Sequence, residues 1–174
     1  MQSNTEINLE KANKEISSAK QGYSSEDLLQ LVSFHIEQEE FGIDILLVQE
    51  IIRMVGITRV PNAEHFVVGV INLRGKVIPI INLRNRLGIA SRDYDSFTRI
   101  IVIEFQDKVI GFIVDSVNEV IRIDRRTTEP PPSMVSGIDS QYITSIAKLK
   151  DRLLILLDLE RLIAIENGEN NDNK

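Results

Sequence analysis

The 174-residue chain contains no cysteine and no tryptophan, and only 5% of its residues are aromatic. Without cysteine, it can form no disulfide, thiolate nucleophile, iron–sulfur cluster or zinc site with thiolate ligands. Without tryptophan, it offers no large aromatic platform for a sugar ring. Composition alone therefore argues against several classes of enzyme.

The chain also lacks a net positive charge and long apolar runs. The formal net charge is −6 at pH 7 and the pI is about 5.0, so nothing predicts a nucleic acid or an anionic membrane as a partner. Residues 1–20 lack the apolar segment of a secretory signal, and charges break the later apolar runs within about ten residues, too few to span a bilayer. We therefore expect a cytoplasmic protein without direct membrane insertion.

Both ends of the chain are polar. Residues 1–28 and 166–174 are rich in Asn, Ser, Glu and Lys, so we predict disordered tails on either side of a domain at residues 29–165. Glu10–Lys20 could form a helix on binding a partner, but a solvated tail is the preferred interpretation.

Between the tails, abundant Ile and Val favour strands and predict a mainly β fold. The predicted strands are Leu31–Ile36, Val67–Leu73, Val77–Ile81, Ile100–Phe105, Val109–Val114, Tyr142–Ile146 and Leu153–Leu157. Two short connectors are predicted to be helices. Asp44–Arg53 places Ile45, Val48 and Ile52 on one face, and Asn82–Leu87 has Asn82 as N-cap and Gly88 as its stop.

An internal repeat organises these elements. Gln30–Arg53 aligns without a gap on Arg99–Arg122, and Phe66–Arg84 aligns in apolar pattern on Tyr142–Glu160. The repeat predicts two related β units, approximately residues 30–90 and 97–163, with equivalent halves about a pseudo-twofold axis. Units this small are marginal alone, so we expect two small barrels with a shared core.

No residues that could carry catalysis stand out. The phosphate-loop, dinucleotide, nucleophile-elbow and HExxH patterns are absent, and neither His35 nor His65 has a partner at metal-ligand spacing. The repeat makes Glu50 and Glu119 equivalent, but each is followed three residues later by an arginine, Arg53 or Arg122, which predicts local ion pairs. We expect no enzyme activity, metal or cofactor.

Several motifs resemble the CheW family of chemotaxis coupling proteins over about residues 28–165. The most specific is Asn72-Leu73-Arg74-Gly75, and the other matching segments are Phe41–Ile45, Val48–Ile51, Val60–Asn62, Gly69–Ile71, Val77–Ile80, Gly111–Asp115 and Leu153–Leu159. The resemblance implies two SH3-like five-stranded β-barrel subdomains and a scaffold without catalysis. It also implies that the protein links the cytoplasmic tips of chemoreceptors to the regulatory domain of the histidine kinase CheA, and so is recruited to membrane receptor arrays.

The resemblance further implies a receptor-binding set: Val48, Glu50, Gly69, Asn72, Arg74 and Gly75. It does not assign individual kinase contacts, although an apolar interface between barrel ends is expected. The second repeat has Lys150-Asp151 where the first has Arg74-Gly75, so the barrel itself does not require Arg74, and we predict that Arg74 binds a partner. Ile45 and Ile52 are expected in the core, and the free protein is expected to be monomeric.

Three alternatives stay open. The same fold could act in a surface-motility or second-messenger array, or as an adaptor of the CheV kind without its receiver. A small acidic hydrolase is the alternative from a different class.

Overall fold

The computed structural model describes residues 8–21, 27–132 and 140–164. The helices are α1 (Leu9–Gln21), α2 (Leu83–Arg86) and α3 (Leu159–Ile163). The strands are β1 (Leu28–Ile36), β2 (Glu39–Asp44), β3 (Val48–Arg53), β4 (Val67–Leu73), β5 (Lys76–Asn82), β6 (Arg99–Phe105), β7 (Lys108–Val114), β8 (Ser116–Asp124), β9 (Thr128–Glu129), β10 (Ile143–Lys148) and β11 (Leu153–Leu157). Of the tails predicted at residues 1–28 and 166–174, residues 1–7, 22–26 and 166–174 lie outside the described residues.

The strands form two sheets. Sheet A has the order β8-β1-β2-β11-β10-β9, and sheet B has the order β3-β6-β7-β5-β4. Neighbouring strands are antiparallel except in the pairs β2–β11 and β5–β7. The predicted fold class, mainly β with two related units, is confirmed, with the two-residue strand β9 as a sixth member of sheet A.

Each half of the sequence contributes strands to both sheets. The hairpin β1–β2 from the first half joins β8, β10 and β11 of the second half, and the hairpin β6–β7 joins β3, β4 and β5. The predicted subdomain ranges 30–90 and 97–163 therefore do not coincide with the spatial units. Each half lends its first hairpin to the sheet that the other half mainly builds, which locks the halves together.

The strand register confirms the predicted equivalence of the halves. Gly42 on β2 lies opposite Leu156 of sheet A, and its repeat equivalent Gly111 on β7 lies opposite Ile80 of sheet B. Both glycines are closely packed, since a Cβ on Gly111 would lie 2.5 Å from the Ile80 side chain. The two parallel pairings are thus the same contact made twice.

One apolar cluster is shared by the sheets, as predicted, and each sheet has a smaller cluster of its own. Phe34 and Phe41 of sheet A stack at 5.8 Å in the shared cluster, where Ile101 and Phe112 of sheet B meet them. The cluster within sheet B consists of Ile71, Ile78, Ile80, Ile100, Val102 and Ile113. The cluster within sheet A consists of Leu29, Leu31, Ile123, Ala147 and Leu154.

The helix predicted at Asp44–Arg53 is wrong. Only Ile45–Leu47 forms a single 3-10 turn, capped by the Asp44 carboxylate, which accepts a hydrogen bond of 2.9 Å from the Leu46 amide. Val48–Arg53 is strand β3, because its β-branched residues pair along β6 and tertiary pairing outweighs the helical spacing. The second predicted helix is confirmed as α2, where the Asn82 side chain accepts from the Arg84 amide at 3.0 Å.

The solvated tail predicted for residues 1–28 is wrong for α1. The Asn8 side chain caps this helix by accepting from the Glu10 amide at 3.0 Å. Ala12 and Ile16 are only 3% and 1% exposed, and α1 packs on β3, on the Ile45–Leu47 turn and on β8. The narrow apolar face of α1 is sufficient to hold the helix in place, because the folded domain supplies an apolar surface that buries this face. No helix within the described residues is long and apolar enough to cross a membrane.

Candidate functional site

The β4–β5 hairpin presents a rigid apex. Leu73 pairs with Lys76, and the two residues between them, Arg74 and Gly75, have φ of 51° and 81°. Both are left-handed, as in the two-residue turns that suit the twist of a hairpin. The Asn72 side chain accepts a hydrogen bond of 3.0 Å from the Gly75 amide and fixes the turn from within. A left-handed conformation costs a non-glycine residue about 1 kcal/mol, so arginine is an unfavourable choice for this turn alone.

The Arg74 guanidinium is held by Glu50. Its Nη1 and Nη2 donate to the two carboxylate oxygens of Glu50 at 2.6 and 3.0 Å. The two side chains are unequal in exposure, 76% for Arg74 and 15% for Glu50. β3, which carries Glu50, and β4 are the two edge strands of sheet B. The planar fork thus joins the two edges of one sheet while leaving most of the guanidinium in solvent.

The ion pairs predicted between Glu50 and Arg53 and between Glu119 and Arg122 are wrong. Glu50 pairs with Arg74, and Glu119 accepts from Arg152 Nη2 at 2.6 Å. Residues three apart on a strand point to opposite faces, so the spacing that brings charges together on a helix separates them here.

An apolar side chain stands beside the apex. Val77 on β5 is 72% exposed and lies opposite Asn72 in the hairpin register. The sequence contains the signal for this residue, since Val77 alternates with the buried Ile78 and Ile80 in a period-two pattern. The exposed surface therefore combines a fixed cation, an amide and an isolated apolar group, and we call Glu50, Asn72, Arg74, Gly75 and Val77 the apex surface.

Two members of the expected receptor-binding set do not lie on this surface. Val48 is fully buried in the shared cluster, which also contains Ala12 and Ile16 of α1. Gly69 is buried at φ 156°, and a Cβ there would overlap the carbonyl oxygen of Thr58. Gly69 is explained by close backbone packing, because the amides of Thr58 and Val70 each donate to the other residue's carbonyl, at 2.9 and 2.8 Å.

Sheet A carries a buried polar network at the place equivalent to the apex surface. The Glu40 carboxylate accepts from Ser33 Oγ at 2.7 Å, from Asn118 Nδ2 at 3.1 Å and from Arg152 Nε at 2.6 Å. Burial alone would raise the pKa of Glu40, but the hydrogen bonds from Ser33, Arg152 and Asn118 and the charge of Arg152 hold it below its usual value. Arg152 thus bridges the buried Glu40 and the half-exposed Glu119, and its own side chain is 36% exposed.

A second ionic network ties the β1–β2 hairpin to α2. Buried Arg84 donates from Nε and Nη2 to the two oxygens of Asp115 at 2.8 and 2.5 Å, and from Nη1 to Glu37. Burial alone would raise the pKa of Asp115, but hydrogen bonds from Arg84 and from the Glu37 amide lower it. Glu37 lies in the turn between β1 and β2 of sheet A, and Arg84 follows β5 of sheet B, so this network fixes one sheet against the other.

The acidic and histidine side chains of the described residues are not arranged as a metal site, nor are Glu50 and Glu119 arranged as a catalytic pair. No group of three or more His, Asp or Glu side chains within the described ranges could hold a metal ion. Glu50 and Glu119 lie in different sheets and each is engaged by an arginine, so they do not form a pair of catalytic carboxylates.

Comparison with known proteins agrees with this description. Residues 30–167 match the family model for the CheW-like domain. The chain is 39% identical over 140 residues to the chemotaxis protein CheW of Klebsiella aerogenes, covering 80% of this chain and 84% of that protein. It is 37% identical over 151 residues to CheW of Helicobacter pylori, covering 86% and 90%. The crystal structure of the scaffolding protein TtCheW from Thermoanaerobacter tengcongensis superposes with a TM-score of 0.74 at 40% identity, covering 79% of this chain and 89% of that one.

Proposed function

The chain belongs to the CheW family and is therefore a chemotaxis scaffold protein and not an enzyme, and from this premise we propose that it links chemoreceptor tips to the histidine kinase CheA. The apex surface is the proposed receptor contact. The kinase regulatory domain is the proposed second partner, through an apolar interface at a barrel end. Recruitment to membrane receptor arrays then follows from the receptor contact.

The observation that carries the receptor assignment is the bidentate pair between Arg74 and Glu50. Receptor tips are helical hairpins, and partners of helices combine an apolar anchor with a few fixed polar groups. Val77 supplies the anchor, and Arg74 supplies a guanidinium whose position is fixed before binding. Because little side-chain entropy remains to be lost, such a group contributes more to affinity than a mobile arginine would.

The second hairpin supports a partner role for Arg74. Lys150 and Asp151 turn the chain in the same register, with the Leu149 amide donating to the Arg152 carbonyl at 2.8 Å. Neither has a positive φ. The cation that reaches Glu119 comes from Arg152, beyond the turn. A repeat-equivalent hairpin thus folds without an arginine at its apex, so the turn alone does not require the strained Arg74, which supports the proposed binding role.

Reconstitution tests the proposal. The purified chain is mixed with a soluble fragment of a chemoreceptor signalling tip, with CheA, and with both, and the mass of each species is measured by sedimentation. We expect a monomer alone, a binary complex with each partner and a larger complex with both. A tight homodimer that binds neither partner would contradict the proposed function.

A further inference from the structure

Helix α1 lies outside residues 30–167, which match the family model, and yet it is docked on the domain. Its apolar side chains recur at helical spacing, and they are Leu9, Ala12, Ile16 and Ala19. Ala12 and Ile16 belong to the same apolar cluster as Ile45, Val48 and Ile51. The helix therefore covers one end of the shared core, at β3 and the turn that precedes it.

Asn13 fastens α1 to the edge of sheet B. Its side-chain Nδ2 donates to the Ile51 carbonyl at 3.3 Å, and its Oδ1 accepts from the Ile51 amide at 3.0 Å. β3 is an edge strand, and the amide satisfies the two backbone groups that a further strand would otherwise pair. The contact is specific to this register, because one side chain meets both polar groups of one residue.

The position of α1 relates it to the apex surface. Ile51 follows Glu50 directly on β3, so α1 is docked one residue along the strand from the Arg74–Glu50 pair, although the side chains of Ile51 and Glu50 point to opposite faces of sheet B. The surface that α1 covers is apolar and already packs against one amphipathic helix, which is α1 itself. A groove of this kind, with a fixed polar group beside it, is what an incoming receptor helix requires.

We propose that the apolar strip under α1, formed by Ile45, Val48 and Ile51, extends the receptor contact beyond the apex surface, and that α1 must undock before a receptor tip can bind fully. This proposal rests on the receptor role given above. A 13-residue helix is marginal in water unless it is packed. α1 is held by two fully buried side chains and one amide. A cleft of about 780 Å³ lies along its other flank, lined by Lys11, Lys14, Glu15, Ser18, Ala19, Gln30, Val120 and Arg122. The helix therefore contacts β8 less closely than β3 and acts as a displaceable cover.

Two adjacent substitutions in the full chain test the proposal. Ile16→Asp places a carboxylate in the buried face and undocks α1, whereas Ser17→Asp adds the same charge on the exposed face. Affinity for the soluble receptor-tip fragment is measured by calorimetry for both variants and for the wild type. Undocking raises the fraction of protein that is able to bind the receptor fragment, so Ile16→Asp should bind the fragment about threefold tighter or more. Ser17→Asp leaves α1 docked, so its affinity should match that of the wild type.

Hydrogen exchange and a milder variant keep the test decisive. In the wild type, the α1 amides and the Ile51 amide should be protected, and saturating receptor fragment should remove the α1 protection. If Ile16→Asp does not fold, Asn13→Ala removes only the clamp and should tighten binding by about twofold. Unchanged or weaker binding in an undocked variant would overturn the proposal while leaving the receptor role intact. A wild type that binds no receptor fragment would overturn the receptor role, and this proposal with it.

Discussion

Glu50 and Glu119 occupy equivalent positions in the repeat, and each accepts a short hydrogen bond from an arginine of a later hairpin in its own sheet. The two arginines differ in their further contacts and in their exposure to solvent. In sheet A, Arg152 also reaches the buried Glu40, so the arginine is absorbed into a network. In sheet B, Arg74 contacts no second carboxylate among the described residues, and its side chain is 76% exposed. Repeat-equivalent glutamates thus take part in a partly buried network in sheet A and in an outward-facing surface in sheet B.

Glu50 is expected to act through Arg74 as a positioning residue. Glu50→Ala should weaken binding of the receptor fragment by about 1 kcal/mol, because it releases the guanidinium into many rotamers. The Glu50→Ala, Arg74→Ala double variant should bind no more weakly than Arg74→Ala alone, since the two losses are one interaction. Additive losses in this calorimetric cycle would show instead that Glu50 contacts the receptor independently.

Arg152 should matter for stability in a way that Arg74 does not. Arg152→Ala leaves the buried Glu40 carboxylate with only its two neutral donors, Ser33 and Asn118, and should lower the free energy of unfolding by about 2 kcal/mol. Combining it with Glu40→Gln should recover part of this loss, because the uncompensated charge is removed. Urea denaturation measures both effects. Equal stability of the wild type and Arg152→Ala would contradict the buried network.

The pKa of Glu40 gives the direction of one pH dependence. Because the folded-state pKa is lowered from 4.5, Glu40 contributes stability that is fully present above about pH 4.5 and is lost as the pH falls through the folded-state value. Glu40→Gln should therefore lose less stability than the wild type between about pH 6 and pH 3. Ser33→Ala, which removes one donor, should be intermediate. Denaturation curves with the same acid dependence for all three proteins would refute this assignment.

The repeat and its register could be predicted from the sequence, because identical glycines and charges mark the same contact in both halves. Strand exchange could not, since a repeat shows which segments are equivalent and not which sheet each one joins. The β3 segment was misassigned because Val48 and Ile52 fit a helical face as well as a strand. α1 was missed for a related reason: its four apolar residues are too few to predict a helix without the surface that covers them.

Among the site residues, the sequence could identify the apex but not its anchor. Arg74 stands out because the second repeat lacks it, whereas Glu50 could be connected to Arg74 only once the two edges of sheet B were brought together. Val48 and Gly69 belong to the same motif as the surface residues, and a motif does not distinguish packing from contact. Burial does: Gly69 is packed against the Thr58 carbonyl, and Val48 is covered within the cluster that includes α1.

Gly69 provides a test of that distinction. Gly69→Ala would drive a methyl group into the Thr58 carbonyl and should destabilise the fold by about 2 kcal/mol or more. Gly56→Ala is the matched control, because a Cβ there has no neighbour within 4 Å, and its stability should stay within about 0.5 kcal/mol of the wild type. Thermal denaturation compares the two. A stable Gly69→Ala variant that had lost receptor binding would return Gly69 to the contact set.

The most direct measurement is the affinity of the receptor-tip fragment for three proteins: the wild type, Arg74→Ala and Lys150→Ala. Lys150 is the exposed residue at the equivalent apex of sheet A, so it controls for the loss of a hairpin cation. Arg74→Ala should weaken receptor binding by about 1–2 kcal/mol, and its free energy of unfolding should fall by no more than about 1 kcal/mol. Arg74→Lys should recover little of the lost affinity, since an ammonium group cannot reproduce the planar fork of a guanidinium. Lys150→Ala should bind as the wild type does, and CheA affinity should be unchanged throughout. Equal receptor affinity of Arg74→Ala and the wild type would contradict the account.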